Sequence, residues 1–171
     1  MKAFDSVSHE LLFALLSHYG TPPNIVSIIK RLYTGTRVNI KLGKKTTSVP
    51  YTVGVQQGDN IAPTLFLFTM LAFSDLIDKH WTTTWNLKPL QFNFFDRLKG
   101  RLLSQSTTSK GKLFDLPYLL YVDDGVFVFE NLEEISKGSQ HIYNTFKRLG
   151  LIMHVGTDNN QSKSEALFIS K

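Results

Sequence analysis

Asp123 and Asp124, two adjacent carboxylates, are the residues of this sequence with most chemical potential. They stand between two apolar runs, Tyr118 to Val122 and Val126 to Phe129, so an Asp123-Asp124-Gly125 turn is expected to join two strands there. Carboxylate oxygens at such a bend suit Mg²⁺, a hard cation that takes oxygen ligands and generally accepts only one or two from protein. The same three residues also read as an ordinary hairpin turn, with Tyr121 and Val122 as plain strand residues. A second candidate is the loop GVQQGDN, residues 54 to 60, between a strand and a long helix. Gly54 and Gly58 permit close backbone approach, and a loop entering a helix N-terminus suits an anion or a nucleotide edge. Alone, it is a plain connection. KAFDSV at the start and Lys163-Ser164-Glu165 near the end carry no chemistry by themselves. Phe4 and Val7 look like core, Asp5 or Ser6 like a local cap, and Lys163 like a surface lysine.

The elements that must position these groups follow from periodicity. Ser8 to Tyr19 places Leu11, Leu12, Leu15, Leu16 and Tyr19 on one helical face, with Gly20 as a stop. Thr21-Pro22-Pro23 opens a second helix, with Val26, Ile29 and Tyr33 inward. RVNIKL, a Gly43-Lys44-Lys45 turn and TTSVPYTV predict a hairpin, and Pro50 suggests an edge strand. Pro63 opens a long helix to about Lys79, filled by Leu65, Phe66, Phe68, Met70, Leu71 and Phe73. The stretch from His80 to Phe95 is irregular but too apolar for a free linker. Arg97 to Leu103 and Lys112 to Leu116 are expected to pair as a basic hairpin, so residues 80–116 read as an insertion that packs down. Asn131 caps a further helix with Glu134 in the capping-box position. Leu132, Ile135, Ile142, Phe146 and Leu149 form its buried face, and Gly150 ends it. Leu151 to Val155 and Ala166 to Ile169 are expected as short strands. The class is α+β with a mainly antiparallel sheet.

Composition bounds the function. The 171 residues make one domain, and 42% hydrophobic content supplies a core. The absence of cysteine excludes a disulfide scaffold, a Cys-based zinc site and a thiol nucleophile. The longest apolar stretch, Ile61 to Phe73, falls short of the ~20 residues a bilayer needs. The first residues lack a signal-peptide pattern, so the expected location is intracellular, with no membrane partner. Nineteen Lys+Arg against fourteen Asp+Glu give a net charge of +5. No acid occurs from Leu11 to Gly58, which holds Lys30, Arg31, Arg37, Lys41, Lys44 and Lys45. A second acid-free block carries Arg97, Lys99, Arg101, Lys110 and Lys112. Such blocks suit phosphate contact, or are simply solvated surface.

In this order and spacing, the four motifs resemble the palm of reverse transcriptases of the non-LTR retrotransposon type. KAFDSV resembles the back half of the first palm motif, and GVQQGDNIAPTLF the second. LLYVDDGVFVF resembles the third, the metal-binding YxDD hairpin, and LGLIMHVG with SKSEALF the fourth. The resemblance covers nearly the whole chain. It implies an α+β reverse-transcriptase-like palm with packed helices, part of the fingers and no thumb. It also implies template-directed DNA synthesis from deoxynucleoside triphosphates on an RNA or DNA template-primer, using two Mg²⁺ ions, with Mn²⁺ as a substitute. Residue by residue, Asp123 and Asp124 match the catalytic metal ligands. Phe4 matches the aromatic that closes off the sugar 2′-hydroxyl. Gln57 and Gly58 match the loop that packs on the incoming nucleotide, and Ala62 and Pro63 continue that motif. Lys163 matches the lysine that gives a proton to pyrophosphate.

The family's first motif runs D-x-x-K-A-F-D, and its leading aspartate, which bridges both ions, would lie two residues upstream of Met1. Asp5 does not stand in for it. Asp123 and Asp124 alone bring like charges together and are expected to hold metal poorly. The expectation is therefore one partial reverse-transcriptase domain over residues 1–171, inactive by itself, with the remaining fingers and thumb segments supplied by a longer chain. Two other readings stay open: a non-catalytic nucleic-acid-binding remnant of a retroelement, and an unrelated α+β fold used for protein contacts.

Overall fold

The computed structural model describes residues 3–56, 58–85, 90–94, 112–156 and 161–167. Four α-helices are found among them. Helix α1 runs His9–His18, and the Ser8 side chain accepts the Leu11 N–H at its start. Helix α2 runs Pro23–Tyr33, with proline in the first turn where a missing N–H costs nothing. Helix α3, Ala62–His80, has 19 residues, or about 28 Å of length. A π-helical turn, Trp81–Trp85, continues it. Helix α4 runs Leu132–Arg148. Its start is the predicted capping box: the Glu134 N–H donates to Asn131 Oδ1 at 2.9 Å, and Asn131 Nδ2 donates to Glu134 Oε1 at 3.0 Å.

Helix α3 is the centre of the molecule. Leu65, Phe66, Phe73 and Ile77 are almost fully buried along it, packed in one cluster with Leu12 and Leu16 of α1, Val26 and Ile29 of α2, and Ile142 of α4. Phe73 stacks on Phe146 of α4 with ring centroids 4.0 Å apart. Two tyrosines tie neighbouring elements to acids of the same helix. Tyr19, just past α1, donates to Asp75 Oδ2 at 2.6 Å, and Tyr118 donates to Asp78 Oδ1 at 2.8 Å. Two residues expected inside are outside: Leu71 is 44% exposed and Leu132 75%. The core stripe of α3 follows Leu65, Phe66, Thr69, Met70, Phe73 and Ile77, and Leu71 falls off that stripe. Leu132 is the first residue of α4, ahead of the buried contacts at Gly138, Ile142 and Thr145.

Among the described residues all strand pairing is antiparallel, but it forms three separate two-stranded sheets rather than the single sheet expected. Strands β1, Arg37–Leu42, and β2, Lys45–Pro50, make the predicted hairpin, which is exposed on both faces. Strand β3, Leu90–Phe94, pairs with β4, Lys112–Leu116. The expected partner of β4, residues 97–103, lies outside the described residues. Strands β5, Tyr118–Tyr121, and β6, Asp124–Phe127, form the carboxylate hairpin.

The strand expected over Leu151 to Val155 is not found, and the described part of Ala166 to Ile169 is not a strand either. Leu151 turns into the core, its N–H donating to the Phe146 carbonyl at 2.9 Å. Further on, the hydroxyls of Ser162 and Ser164 donate to the His154 carbonyl at 3.2 and 3.1 Å. Side chains, not a backbone ladder, hold the return segment.

Candidate nucleotide and metal site

The first site residue, Phe4, sits in a 3₁₀ turn, Ala3–Ser6, closed by the Ser6 hydroxyl on the Ala3 carbonyl at 2.8 Å. This turn pairs with the segment leading to the glycine loop. The Gly54 N–H donates to the Val7 carbonyl at 2.8 Å, and the Val55 N–H to the Phe4 carbonyl at 2.7 Å. Gly54 has φ +97°, and a Cβ there would come within 2.9 Å of the Asp5 Cα. Only glycine fits this approach. The Phe4 ring then stacks on Phe66 of α3, centroids 4.6 Å apart.

The result is an open pocket of about 400 Å³ at the start of α3, lined by Phe4, Gly58, Asp59, Asn60, Ala62 and Pro63. It joins the first two sequence motifs. Gln57, expected beside Gly58, lies outside the described residues. Asp59 was not singled out from the sequence, and its role changes the expectation of an anion site. Its Oδ1 accepts the Ile61 N–H at 3.2 Å, and its carbonyl accepts the Ala62 N–H at 3.2 Å. The helix start is thus partly satisfied by its own carboxylate. An Asp three residues ahead of a helix start is a readable Asx-turn signal. With Phe4, Ala62 and Pro63 on its wall, the pocket suits a sugar or base better than a phosphate.

The hairpin differs from expectation in register. Tyr118 pairs with Phe127, Leu119 with Val126, Leu120 with Gly125 and Tyr121 with Asp124. The two-residue loop is therefore Val122-Asp123, and Asp124 and Gly125 belong to β6, not to the turn. The physical reason is an aromatic cluster. Pairing Phe127 with Tyr118 brings both rings against Trp81, each with a centroid 6.1 Å away, while Phe127 also meets Phe73 at 6.0 Å. Gly125 leaves room for this: a Cβ there would come within 2.8 Å of the Phe127 ring. In consequence Val122, not a glycine, takes the positive φ of the loop, at 57°. A β-branched residue there is strained by roughly 1–3 kcal/mol, and the half-buried Val122 side chain packs on the core.

Asp123 and Asp124 are both exposed, and neither carboxylate makes a hydrogen bond or ion pair among the described residues. Their oxygens are free to meet a cation. Among the described residues, however, no group of three His, Cys, Asp or Glu side chains is placed to hold a metal ion. The hairpin packs on the C-terminal half of α3 through Tyr118, which also shares a 2.5 Å hydrogen bond with Ser74. Burial, with Asp78 adding to it against the opposing Ser74 bond, pushes the Tyr118 hydroxyl up to about 12. Lys163 is exposed in the return segment. Neither it nor the Asp pair lines the Phe4 pocket.

No helix among the described residues is long and apolar enough to cross a membrane. The chain is 38% identical over 71 residues to the Retrovirus-related Pol polyprotein from type-2 retrotransposable element R2DM of Drosophila melanogaster, a match covering 40% of this chain and 7% of that protein. It is 36% identical over 66 residues to the Retrovirus-related Pol polyprotein from type-1 retrotransposable element R2 of Popillia japonica, covering 38% of this chain and 11% of that protein. Both matches take in only a small part of the relatives' length. Residues 1–164 match the family model for reverse transcriptase (RNA-dependent DNA polymerase), a span that includes the first three motifs and the fourth as far as Ser164, and the chain belongs to that family.

Proposed function

We propose that this chain forms much of the palm and part of the fingers of a template-directed DNA polymerase. In this reading the Phe4 pocket receives the deoxynucleoside triphosphate, Asp123 and Asp124 hold Mg²⁺ or Mn²⁺, and an RNA or DNA template-primer meets the basic blocks of the sequence. The observation that carries the reading is the shared pocket. Phe4 and Gly58 are far apart in sequence, yet the backbone pairing of Phe4 with Val55 puts both on one cavity wall. Phe4, braced by Phe66, presents a rigid edge to a sugar, which is the means of excluding a 2′-hydroxyl. Gly58 and the adjoining Gln57 pack against the incoming base. Residues 80–116 form an insertion of this palm.

The two carboxylates fit a hard divalent cation in chemistry, since they are exposed oxygen donors without other partners. Ions held there supply activation of the primer 3′-hydroxyl and neutralisation of the departing pyrophosphate. The hairpin's part is to hold the pair still, which the Tyr118, Phe127 and Trp81 packing does. Lys163 is the residue we assign to pyrophosphate protonation.

With no third acid or histidine grouped with them among the described residues, the pair by itself does not run the reaction. That observation also favours the second reading, a retroelement remnant that binds nucleic acid without catalysis. Two measurements test these statements. Mn²⁺ binding followed by electron paramagnetic resonance should weaken at least about tenfold in Asp123→Asn, since one of two charged ligands is lost; equal binding would refute the assignment. Primer extension on poly(rA) by this chain alone should give no product, and Asp123-dependent synthesis would refute the need for a further carboxylate.

A further inference from the structure

A second cavity shares no lining residue with the Phe4 pocket, and neither Asp123 nor Asp124 lines it. It is an open cleft of about 290 Å³ between α1, the end of α2 and the base of the β1–β2 hairpin. Its walls include His9, Phe13, Tyr33 and Tyr51, with Arg37 among the lining residues. The four rings form a cluster around His9, whose centroid lies 5.1 Å from Tyr33, 5.8 Å from Tyr51 and 6.2 Å from Phe13. The cluster is fixed by backbone, because His9 Nε2 bonds the Gly54 carbonyl at 2.8 Å. His9, Phe13 and Tyr51 keep part of their surface open, whereas Tyr33 is buried.

Arg37 lines this cleft, and a second cation, Lys30, stands over the ring of its Phe13 wall. The Arg37 guanidinium is oriented by Ser48, through Nε to the hydroxyl and Nη2 to the carbonyl, both at 3.0 Å. Lys30 Nζ lies 5.6 Å from the Phe13 ring centroid. Neither pairs with a carboxylate among the described residues. Two acids stand near the cleft: Asp5 adds to burial in raising the Tyr51 hydroxyl, and Asp59 adds to burial in raising that of Tyr33. A phosphate therefore belongs on the Arg37 and Lys30 side, away from both.

Exposed ring faces beside unpaired, pre-oriented cations form the arrangement that grips single-stranded nucleic acid: bases stack on the rings and phosphates meet the cations. The volume is that of one nucleoside. We propose that this cleft is a binding subsite for one unpaired nucleotide of an RNA or DNA strand, its base against Phe13 and Tyr51 and its phosphate on Arg37 and Lys30. The proposal places a strand contact outside the deoxynucleotide pocket and does not need the chain to polymerise.

The test uses the 171-residue chain and a short oligouridylate carrying 5-iodouridine. Photocrosslinking and peptide mapping should place adducts on Phe13, Tyr51 or His9. In fluorescence anisotropy, Tyr51→Leu and Phe13→Leu, which keep apolar bulk, should each weaken binding about 5- to 10-fold. Arg37→Gln should lower the slope of affinity against salt by about one. Adducts confined to other residues would overturn the proposal, as would unchanged affinity in correctly folded Tyr51→Leu and Phe13→Leu. Should either variant misfold by circular dichroism, the wild-type crosslink map decides. Mn²⁺ binding at Asp123 is read separately. Its persistence without oligonucleotide binding would sink only the cleft, and its loss with crosslinks at Tyr51 would sink only the polymerase reading.

Discussion

Gly138 offers a test of how the carboxylate hairpin is held. It lies inside α4, where alanine is ordinarily better than glycine by about 1 kcal/mol. Helix propensity alone therefore predicts that Gly138→Ala stabilises the protein. The structure predicts the opposite. A Cβ at Gly138 would come within 2.3 Å of both Cε1 and Cζ of Phe129, whereas carbon atoms rest at about 3.5–4.0 Å. The ring would have to retreat by more than about 1 Å. Behind it stands Trp81, with its centroid 5.6 Å from that of Phe129 and only 5% of its surface exposed. Overpacking costs about 1–3 kcal/mol, and disturbing the aromatic pair about 0.5–1.5 kcal/mol. After the propensity gain, a net loss of about 2 kcal/mol remains, or a Tm lower by about 4–8 °C in a chain of this size. Thermal melts by circular dichroism, with urea titrations, measure this. The decisive comparison is a double-mutant cycle. In a Phe129→Ala background the obstructing ring is gone, and Gly138→Ala should become stabilising by up to about 1 kcal/mol. Stabilisation by Gly138→Ala in the wild-type background, or the same sign in both backgrounds, would refute the close packing of α4 on the segment that follows β6.

Three other outcomes follow from the same contacts. Tyr118→Phe removes the hydroxyl shared by Ser74 and Asp78 and should cost about 1.5–3 kcal/mol. In the wild type the folded pKa of Tyr118, about 12, exceeds the ordinary 10.0. Its contribution is therefore fully present below pH 10 and lost as pH rises toward about 12. Alkaline melts of Tyr118→Phe should show a shallower loss, with a remainder from Tyr19, also raised to about 12; an unchanged alkaline limb would contradict this. His141 stacks on His80, centroids 4.0 Å apart, and burial first, then His80 and Arg148, hold its pKa below 6.5. Its contribution is present above 6.5 and lost as pH falls through the depressed value, so His141→Phe should flatten the acid side of the stability curve, and an acid limb of equal slope would contradict it. Asn131→Ala breaks the capping box of α4 and should cost about 1 kcal/mol in urea titrations, with no change counting against the cap.

Much of the fold was legible because it rests on local rules. The four helices, their proline and glycine punctuation, and the Asn131–Glu134 box depend on residues a turn or so apart. The β1–β2 hairpin was readable for the same reason. Errors arose where a distant partner decided. Asp124-Gly125 is the better turn by local chemistry, yet the loop is Val122-Asp123 because Phe127 must reach Trp81 and Phe73. Leu151 to Val155 alternates enough to read as a strand, yet it turns into the core through the bond of the Leu151 N–H to the Phe146 carbonyl. Gly138 reads as a weak point in a helix, and only the neighbouring ring of Phe129 explains it.

The sequence by itself determined the family, since four motifs in order and spacing carry that identity without coordinates. It also named the side chains to which we assign chemistry, Phe4, Asp123, Asp124 and Lys163. Tertiary structure alone decided which of them meet. Phe4 and Gly58 share a pocket because backbone pairing through Val7, Gly54 and Val55 closes the loop between them. The carboxylates stand exposed, without partners among the described residues, at a hairpin whose register an aromatic cluster sets. The ring-lined cleft at His9 exists only because α1, α2 and the base of the hairpin converge there. Such proximity comes from packing across the whole chain, and no local pattern encodes it.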